Sequence, residues 1–469
     1  MPSPLRALIV ALAIVAAFFA GALYFGYQGS LGKANRAPLG AAQVASLDWN
    51  FAGRSDADQL ISFEFNQVER TYYRHIDPQT FVTGERSELL SFLKAALKKK
   101  NIRPVLPPVN AGGSDSQAIA ALDSQLAYAQ THYAPLGIAP DDLTQVALTG
   151  MLKALDPYTT YLTPQQISAL NEQLNAGDFG GVGVFIYQLK NRQILLLPIP
   201  DLPAARAGMH DGQVVTTIDG HAINGFPIDR VERMIRGAEG TQVILKTHAY
   251  KGSSVPHVFR ITREIIHVPT VHAKMENGYD YIRLSDFYQT SAAEVHKALL
   301  AGKAKGAKGY ILDLRFNGGG LLDAAVDISS YFVPRGPIVT EIDRAGVRDV
   351  KNATGAYISG LRPLVILVNG WTASSSEITA GALQDYKVAT LIGSKTYGKG
   401  VVQGIYTMPN GGALKITTER YLTPAGRDIQ HKGIVPDQTV AQQASFTIVD
   451  TPADKQLQAA KAYLNRFTR

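Results

Sequence analysis

PLVILVNGWTASSSEITAGALQDYKVATLIGSKTYGKGVVQ, residues 363–403, is the stretch around which the rest of the 469-residue chain is organised. Leu364 to Val368 is a short apolar, β-branched run bounded by Pro363 and Asn369-Gly370, the pattern of a strand buried in a sheet. A turn follows, and Ser374-Ser375-Ser376-Glu377 leads into ITAGALQDY, where Ile378, Ala382 and Leu383 recur at helical spacing. The spacing predicts a helix that begins just after Ser374. A hydroxyl there sits at the positive end of the helix, beside N–H groups with no intrahelical partner, which is a good place for a nucleophile. The same Ser-x-x-Glu pattern also describes a helix capping box, in which the serine only satisfies an orphan N–H. Val388 to Ile392 reads as a second strand running into GSKTYGKG, a glycine-rich bend able to return one lysine to the start of the preceding helix.

The run TASSSEI at 372–378, with Lys399 in TYGKG and Gln403 just beyond it, resembles the carboxyl-terminal-processing proteases, tail-specific serine peptidases that use a Ser-Lys dyad. The resemblance implies Ser374 as nucleophile, Lys399 as general base and Gln403 as the residue that steadies the lysine. It also matches Asp385 to an acidic position sometimes grouped with the dyad. The chemistry makes its own demand. A serine hydroxyl is a weak nucleophile until a positioned base takes its proton. Lysine is such a base only when neutral, so burial has to lower its free pKa of about 10.4 by roughly three units. The apolar strands flanking both loops could provide that burial. None of the ten histidines lies between Pro363 and Gln403, and no GxSxG elbow marks a serine-histidine site. Gly393 to Lys399 reproduces most of a phosphate-cradling GxxxxGK loop, but position 400 is glycine where a magnesium-binding hydroxyl would stand.

The chain is too long for one ordinary domain, and its 46% hydrophobic content is enough for real cores. The net charge of +7 comes from dispersed lysine and arginine; apart from Lys98-Lys99-Lys100 there is no basic stripe, which argues against nucleic acid as a partner. With no cysteine, a disulfide framework and a thiolate metal site are both excluded.

Residues 1–26 read as a membrane anchor or a signal. Arg6 is their only charge, and the apolar run Ala7 to Phe25 approaches the roughly 20 residues needed to cross a bilayer. Arg6 favours a cytoplasmic N-terminus, so the bulk of the chain is expected on the extracytoplasmic side, periplasmic or extracellular. Residues 27–130 read as a Gly/Ala/Ser-rich linker and a helical arm with the periodicity of Leu89, Leu90, Leu93, Ala96 and Leu97. Residues 131–178 resemble the family's lead-in to the protease core, in which Leu155-Asp156-Pro157 and the following tyrosines close against the catalytic domain.

Residues 179–266 carry a glycine-rich start, alternating strands, the short helix of DLPAARAGM, a strand-turn-strand and an amphipathic helix from Ile228 to Arg236, an order that resembles a PDZ domain. The resemblance matches Gly180, Gly181, Val182 and Gly183 to the loop that presents N–H groups to a peptide's terminal carboxylate, while the peptide adds a strand beside the helix. HDGQVV stands where a Gly-Asp pair is common.

Residues 267–440 alternate strand and helix, as in GYILDL at 309–314, and argue a mixed α/β sheet of βαβ type with its active edge at strand ends. Asp313-Leu-Arg315-Phe316-Asn317-Gly-Gly-Gly320 resembles the family loop that supplies half of the oxyanion hole, so Gly319 or Gly320 is expected to act with the N–H of Ser375. ALKITTERYLTPAGRDIQHKGIVPDQTV, 413–440, completes the likeness, and 441–469 is a tail in which Asp450 to Arg469 reads as a polar helix of no assigned role. The implied protein is a serine endopeptidase with an inserted PDZ domain that captures protein substrates by exposed C-terminal tails and needs neither metal nor organic cofactor. A homo-oligomer is compatible with this reading. The alternative is a non-catalytic scaffold that only holds peptides, in which Lys399 would have no reason to be buried beside Ser374.

Overall fold

The computed structural model describes residues 56–174, 179–189, 193–226, 228–250, 255–266, 269–442, 445 and 448–467. The apolar run 7–25, and with it the expected anchor, lies outside them; among the described residues no helix is long and apolar enough to cross a membrane.

Four helices come first: α1 Asp56–Thr71, α2 Pro78–Leu97, α3 Asp115–Tyr133 and α4 Pro140–Lys153. Their starts follow ordinary capping chemistry. The Asp77 carboxylate accepts the Gln79 N–H at 3.0 Å ahead of α2, Ser114 caps α3, and α4 opens on Pro140. Gly84 and Gly150 let α2 and α4 cross at close range, since a Cβ on Gly84 would stand 2.4 Å from the Gly150 carbonyl oxygen. The apolar faces, including Ile61, Phe65, Leu89, Leu122 and Leu148, share one core with Leu414 and Ile416 far along the chain. Then come the short strand β1 Thr160–Leu162 and helix α5 Pro164–Leu174.

The next unit begins and ends side by side, because β2 Phe179–Gly181 pairs antiparallel with β9 Glu264–Ile266. Between them β3 Val184–Gln188, β4 Ile194–Pro198, β5 Gln213–Ile218, β7 Gln242–Ala249 and β8 His257–Thr262 form an antiparallel sheet in that order, with β6 His221–Ala222 on β5. Helices α6 Pro203–Arg206 and α7 Ile228–Ile235 accompany it, and Val182, Leu196, Ile218, Val231 and Leu245 form a core separate from the others.

The remaining strands build two sheets. One runs β10 Val271–Glu276, β11 Tyr279–Leu284, β12 Tyr310–Asp313, β15 Leu364–Val368, β16 Thr390–Gly393 and β19 Gln438–Thr439, parallel except for the β10–β11 pair. Strand β15 is buried at every position, as a central parallel strand covered on both faces must be. Helices α8 Ser291–Ala304, α9 Leu322–Ser330 and α10 Ser375–Asp385 follow β11, β12 and β15. The second sheet has the order β1, β18 Ala413–Leu422, β13 Pro337–Ile342, β14 Arg348–Asn352, with β17 Val401–Thr407 also on β18. Because β12 and β15 are parallel neighbours, the loops leaving their C-terminal ends, 314–320 and 369–374, meet at one edge of the sheet.

Two elements differ from the expectation. Strand β16 starts at Thr390 and not at Val388, because Lys387 takes a left-handed turn (φ 53°) and the N–H groups of Val388 and Ala389 close on the Leu383 carbonyl. The tail helix α11 is confined to Lys455–Leu464, with Asp454 as its cap.

Candidate active site

Ser374 stands between β15 and α10 with φ 56° and ψ −121°. A serine occupies such a backbone at a cost of about 1–3 kcal/mol, and only where its surroundings over-determine it. They do so here through the 314–320 loop. The Thr372 hydroxyl donates to the Leu314 carbonyl (2.8 Å), the Ala373 N–H and Ser376 hydroxyl donate to the Asn317 carbonyl (3.1 and 3.0 Å), and the Ser375 hydroxyl donates to the Gly320 carbonyl (2.9 Å). Gly319 has φ 104°, and a Cβ there would come within 2.8 Å of the Ser374 Cβ. The room that a GxSxG elbow creates with its own flanking glycines is therefore created by a glycine on another loop, which is why no motif search along one segment finds it.

The glycine-rich bend returns as its composition predicts, and Glu377 is what holds it. Its fully buried carboxylate accepts the N–H groups of Ser374 (3.0 Å), Gly398 (2.8 Å) and Lys399 (2.9 Å) and the Thr396 hydroxyl (2.5 Å). Burial pushes the Glu377 carboxyl up, while these four donors pull it back. One carboxylate thus ties the backbone of the serine to the backbone of the lysine. Tyr421 on β18 makes a second tie, its buried hydroxyl reaching the carbonyls of Lys399 (2.5 Å) and Ser374 (3.3 Å).

Lys399 is fully buried. Burial above all, then the positive charge of Lys415, drives its amine well below the ordinary lysine range, against the opposing pull of Asp156 and Glu377. Its Nζ lies 5.0 Å from the centre of the Tyr158 ring. Tyr158 arrives from the lead-in segment, where the Asp156 carboxylate accepts the N–H groups of Tyr158 and Thr159 and the Thr159 hydroxyl. That hydroxyl in turn contacts Thr417 on β18, and β1 adds itself to β18 with Thr160 opposite Lys415. Of the lead-in tyrosines Tyr158 comes to the lysine, whereas Tyr161 packs into the helical core with Leu414 and Ile416.

Gln403 sits on β17 at a bulge, opposite Thr417, fully buried, and neither polar atom of its amide has a hydrogen-bond partner among the described residues. The two glycines of the expected oxyanion loop are not equivalent. The Gly319 N–H is committed to Asn317 Oδ1 at 2.8 Å. Gly320 bridges Phe287 through its neighbours, Phe287 N–H donating to the Gly319 carbonyl and Leu321 N–H to the Phe287 carbonyl. Asp385 is not brought to this site. It lies at the last turn of α10, paired with Arg427 at 2.5 Å and accepting the Ala425 N–H at 2.8 Å.

In the separate sheet unit, the carbonyls of Gly180, Val182 and Gly183 accept the N–H groups of Gly237, Ala204 and Ile199, and Val182 is packed into the core. Sequence reasoning also gave the tail no role, yet Asp454 reaches the loop after β12. Arg315, 1% exposed, donates to both Asp454 carboxylate oxygens (2.7 Å each) and to both of Asp313, and Asp313 also accepts the Tyr281 hydroxyl.

Residues 278–440 match peptidase family S41 and residues 196–247 match the PDZ domain, so fold and sequence define a serine-type peptidase with a PDZ domain. A carboxyl-terminal-processing protease of Synechocystis is 39% identical over 326 residues, 68% of this chain and 76% of the relative. That of Bartonella bacilliformis is 37% identical over 311 residues, 65% and 71%. A solved photosystem II D1 C-terminal processing protease is 28% identical, with 82% of this chain and 93% of that one covered at a TM-score of 0.43. The chain belongs to the carboxyl-terminal-processing proteases, and it is a serine-type endopeptidase.

Proposed function

We propose that Ser374 is the nucleophile and Lys399, held neutral, the base that takes its proton, with Gln403 steadying the lysine. The Ser374 Oγ attacks a peptide carbonyl carbon while its proton passes to Lys399 Nζ. The C–N bond then breaks as that proton goes to the leaving amine; water, giving its proton to Lys399, attacks the acyl carbon, and the acyl C–O bond breaks as the lysine returns that proton to Ser374 Oγ. The N–H groups of Gly320 and Ser375 receive the charge on the attacked oxygen, each worth roughly 3–4 kcal/mol; the Gly319 N–H is already engaged by Asn317. No step calls for a metal or an organic cofactor. Substrates are proteins whose C-terminal tails pair with the PDZ domain, their carboxylates received at Gly180 to Gly183. The apolar run 7–25 anchors the enzyme with the protease on the extracytoplasmic side.

The observation that carries this reading is the shared Glu377 carboxylate, which fixes a strained serine and a fully buried lysine relative to each other. Burying a lysine is expensive in a mere scaffold. Ser374→Ala and Lys399→Ala, assayed on an unfolded protein substrate, are each expected to remove activity by on the order of 10⁴-fold or more, and the double variant to be no worse than either alone. Retention of turnover in either single variant refutes the dyad.

A further inference from the structure

Strand β18 presents two faces to two different environments. Leu414 and Ile416 point into the helical core, whereas Lys415 and Thr417 share the face that carries Gln403. The register makes this explicit: Gln403 lies opposite Thr417 and Ile405 opposite Lys415, so Gln403 and Lys415 are diagonal neighbours, about 7–8 Å apart at the backbone. On its other side Lys415 is paired with Thr160 of β1. It is 6% exposed, a second buried lysine, related to Lys399 through the strand that also carries Tyr421 and the Thr159 contact. Nothing in a sheet's packing asks for a buried cation there, and a leucine would fill the position at lower cost.

We propose that Lys415 is a positioning residue for the base, a resident positive charge that keeps Lys399 in its proton-accepting form, with the Asp156 carboxylate as its counter-charge. The inference rests on the Ser374–Lys399 reading. Among the described residues, the groups around Lys399 include Asp156 and Tyr158 from the lead-in loop, Glu377 from α10, which accepts its backbone N–H, and Lys415 and Tyr421 from β18, the tyrosine donating to its carbonyl. Of these only Lys415 adds a like charge. After burial it is the largest influence lowering the Lys399 amine, and Asp156 and Glu377 act the other way. Lys415 itself is held down to about 8 by burial, with Asp156 opposing, so it carries its charge through neutral pH. A cation beside a desolvated lysine is a general means of activating that lysine. Asp156 is anchored to the same strand through Thr159 and Thr417, so the lead-in segment brings the counter-charge along with the tyrosine that covers the amine.

The test is the acid limb of kcat/KM against pH, measured on the full chain with a fluorescently labelled unfolded protein. Lys415→Met removes the charge at similar volume, and the limb is expected to move up by about one pH unit, with up to tenfold less activity below it and recovery at alkaline pH. Lys415→Arg restores the wild-type limb. Asp156→Asn keeps a hydrogen-bonding side chain in the loop and is expected to move the limb down. An unmoved limb in a folded Lys415→Met overturns the proposal, as does a loss of activity that alkaline pH does not recover. If that variant does not fold, an unmoved or raised limb in Asp156→Asn overturns it instead. Failure of the underlying dyad is read separately, as turnover by Ser374→Ala.

Discussion

Replacing Asp454 by Asn changes one carboxylate into an amide of the same shape, 80 residues beyond the candidate serine. The Asp454 carboxylate forms a two-pronged bond with Arg315 at 2.7 Å on each side, and both side chains are at most 1% exposed. Removing one partner of a buried ion pair costs about 3–5 kcal/mol, because the other charge is left in a low-dielectric setting. Arg315 keeps Asp313, and an asparagine still caps α11 by accepting the Leu457 N–H, so about 3 kcal/mol is the expected loss. With a urea slope near the top of the range for single domains, about 3 kcal/mol/M, the midpoint of the protease region falls by about 1 M. The sign with pH follows from the carboxyl itself. Burial pushes it up, but the bonds and charge of Arg315 more than offset this and hold it below the ordinary aspartate value. Its contribution is therefore present above about pH 4 and disappears as pH falls through the folded value, so wild type and variant converge in acid. Arg315→Met with Asp454→Leu leaves the buried Asp313 carboxylate without its arginine and α11 without its cap, and is expected to be less stable than Asp454→Asn. A midpoint within about 0.3 M of wild type at pH 7, against that expected 1 M, refutes the assignment of this pair as a clamp.

Glu377→Gln retains size but cannot accept from four donors at once; kcat is expected to fall by on the order of 100-fold, the penalty of a small misplacement, with KM little changed in steady-state assays. Lys399→Met removes a buried amine whose folded value lies far below its unfolded one. Between those two values the unfolded chain binds more protons, so wild-type stability rises with pH across the window. The variant is expected to lack that rise and to be more stable at pH 7 by about 1–4 kcal/mol in urea titrations, while losing activity. Asp385→Asn disturbs the Arg427 pair and the Ala425 N–H bond at the far end of α10, so turnover is expected to stay within about twofold of wild type and stability to fall by about 1–2 kcal/mol.

What the sequence discloses and what it hides divide along physical lines. Strand β15, the start of α10 immediately after Ser374 and the return of the glycine-rich bend are local: periodicity, boundary residues and turn chemistry specify each within a few residues. The ordered strands of 179–266 are readable for the same reason. Glu377 is legible only by half, since its capping spacing is in the sequence but its capture of Thr396, Gly398 and Lys399 depends on where a distant bend lands. Asp385 was open to exclusion by helix geometry alone. Eleven residues beyond Ser374 on one helix is about 16 Å along the axis, too far for a group acting at the serine. The Arg315–Asp454 pair left no local trace, because two charges far apart in the chain carry no periodic signal. Lys415 did leave one: a lysine inside ALKIT, among residues that are otherwise apolar or small, breaks the pattern of a buried strand, and such a break is a reason to ask what the charge is for.

Strand β18 is what makes these separate contributions one site. Its outer face completes the core of the N-terminal helices through Leu414 and Ile416, its edge receives β1 and the Asp156 loop, and its other face carries Lys415, Thr417 and the partner of Gln403. Further along, Tyr421 reaches the backbones of both Ser374 and Lys399. The N-terminal helices therefore reach the site through this strand and through the Asp156 loop docked on its edge. Shifting β18 by one residue would exchange Leu414 for Lys415 on the apolar side and withdraw its charge from the face that carries Gln403 at the same time. The cost of burying a lysine among Ile61, Phe65 and Leu148 penalises any slip by an odd number of residues. The same packing that stabilises the helical region thus fixes which side chains meet the lysine amine, and the electrostatics of the site inherit their precision from an apolar core on the opposite face of the strand.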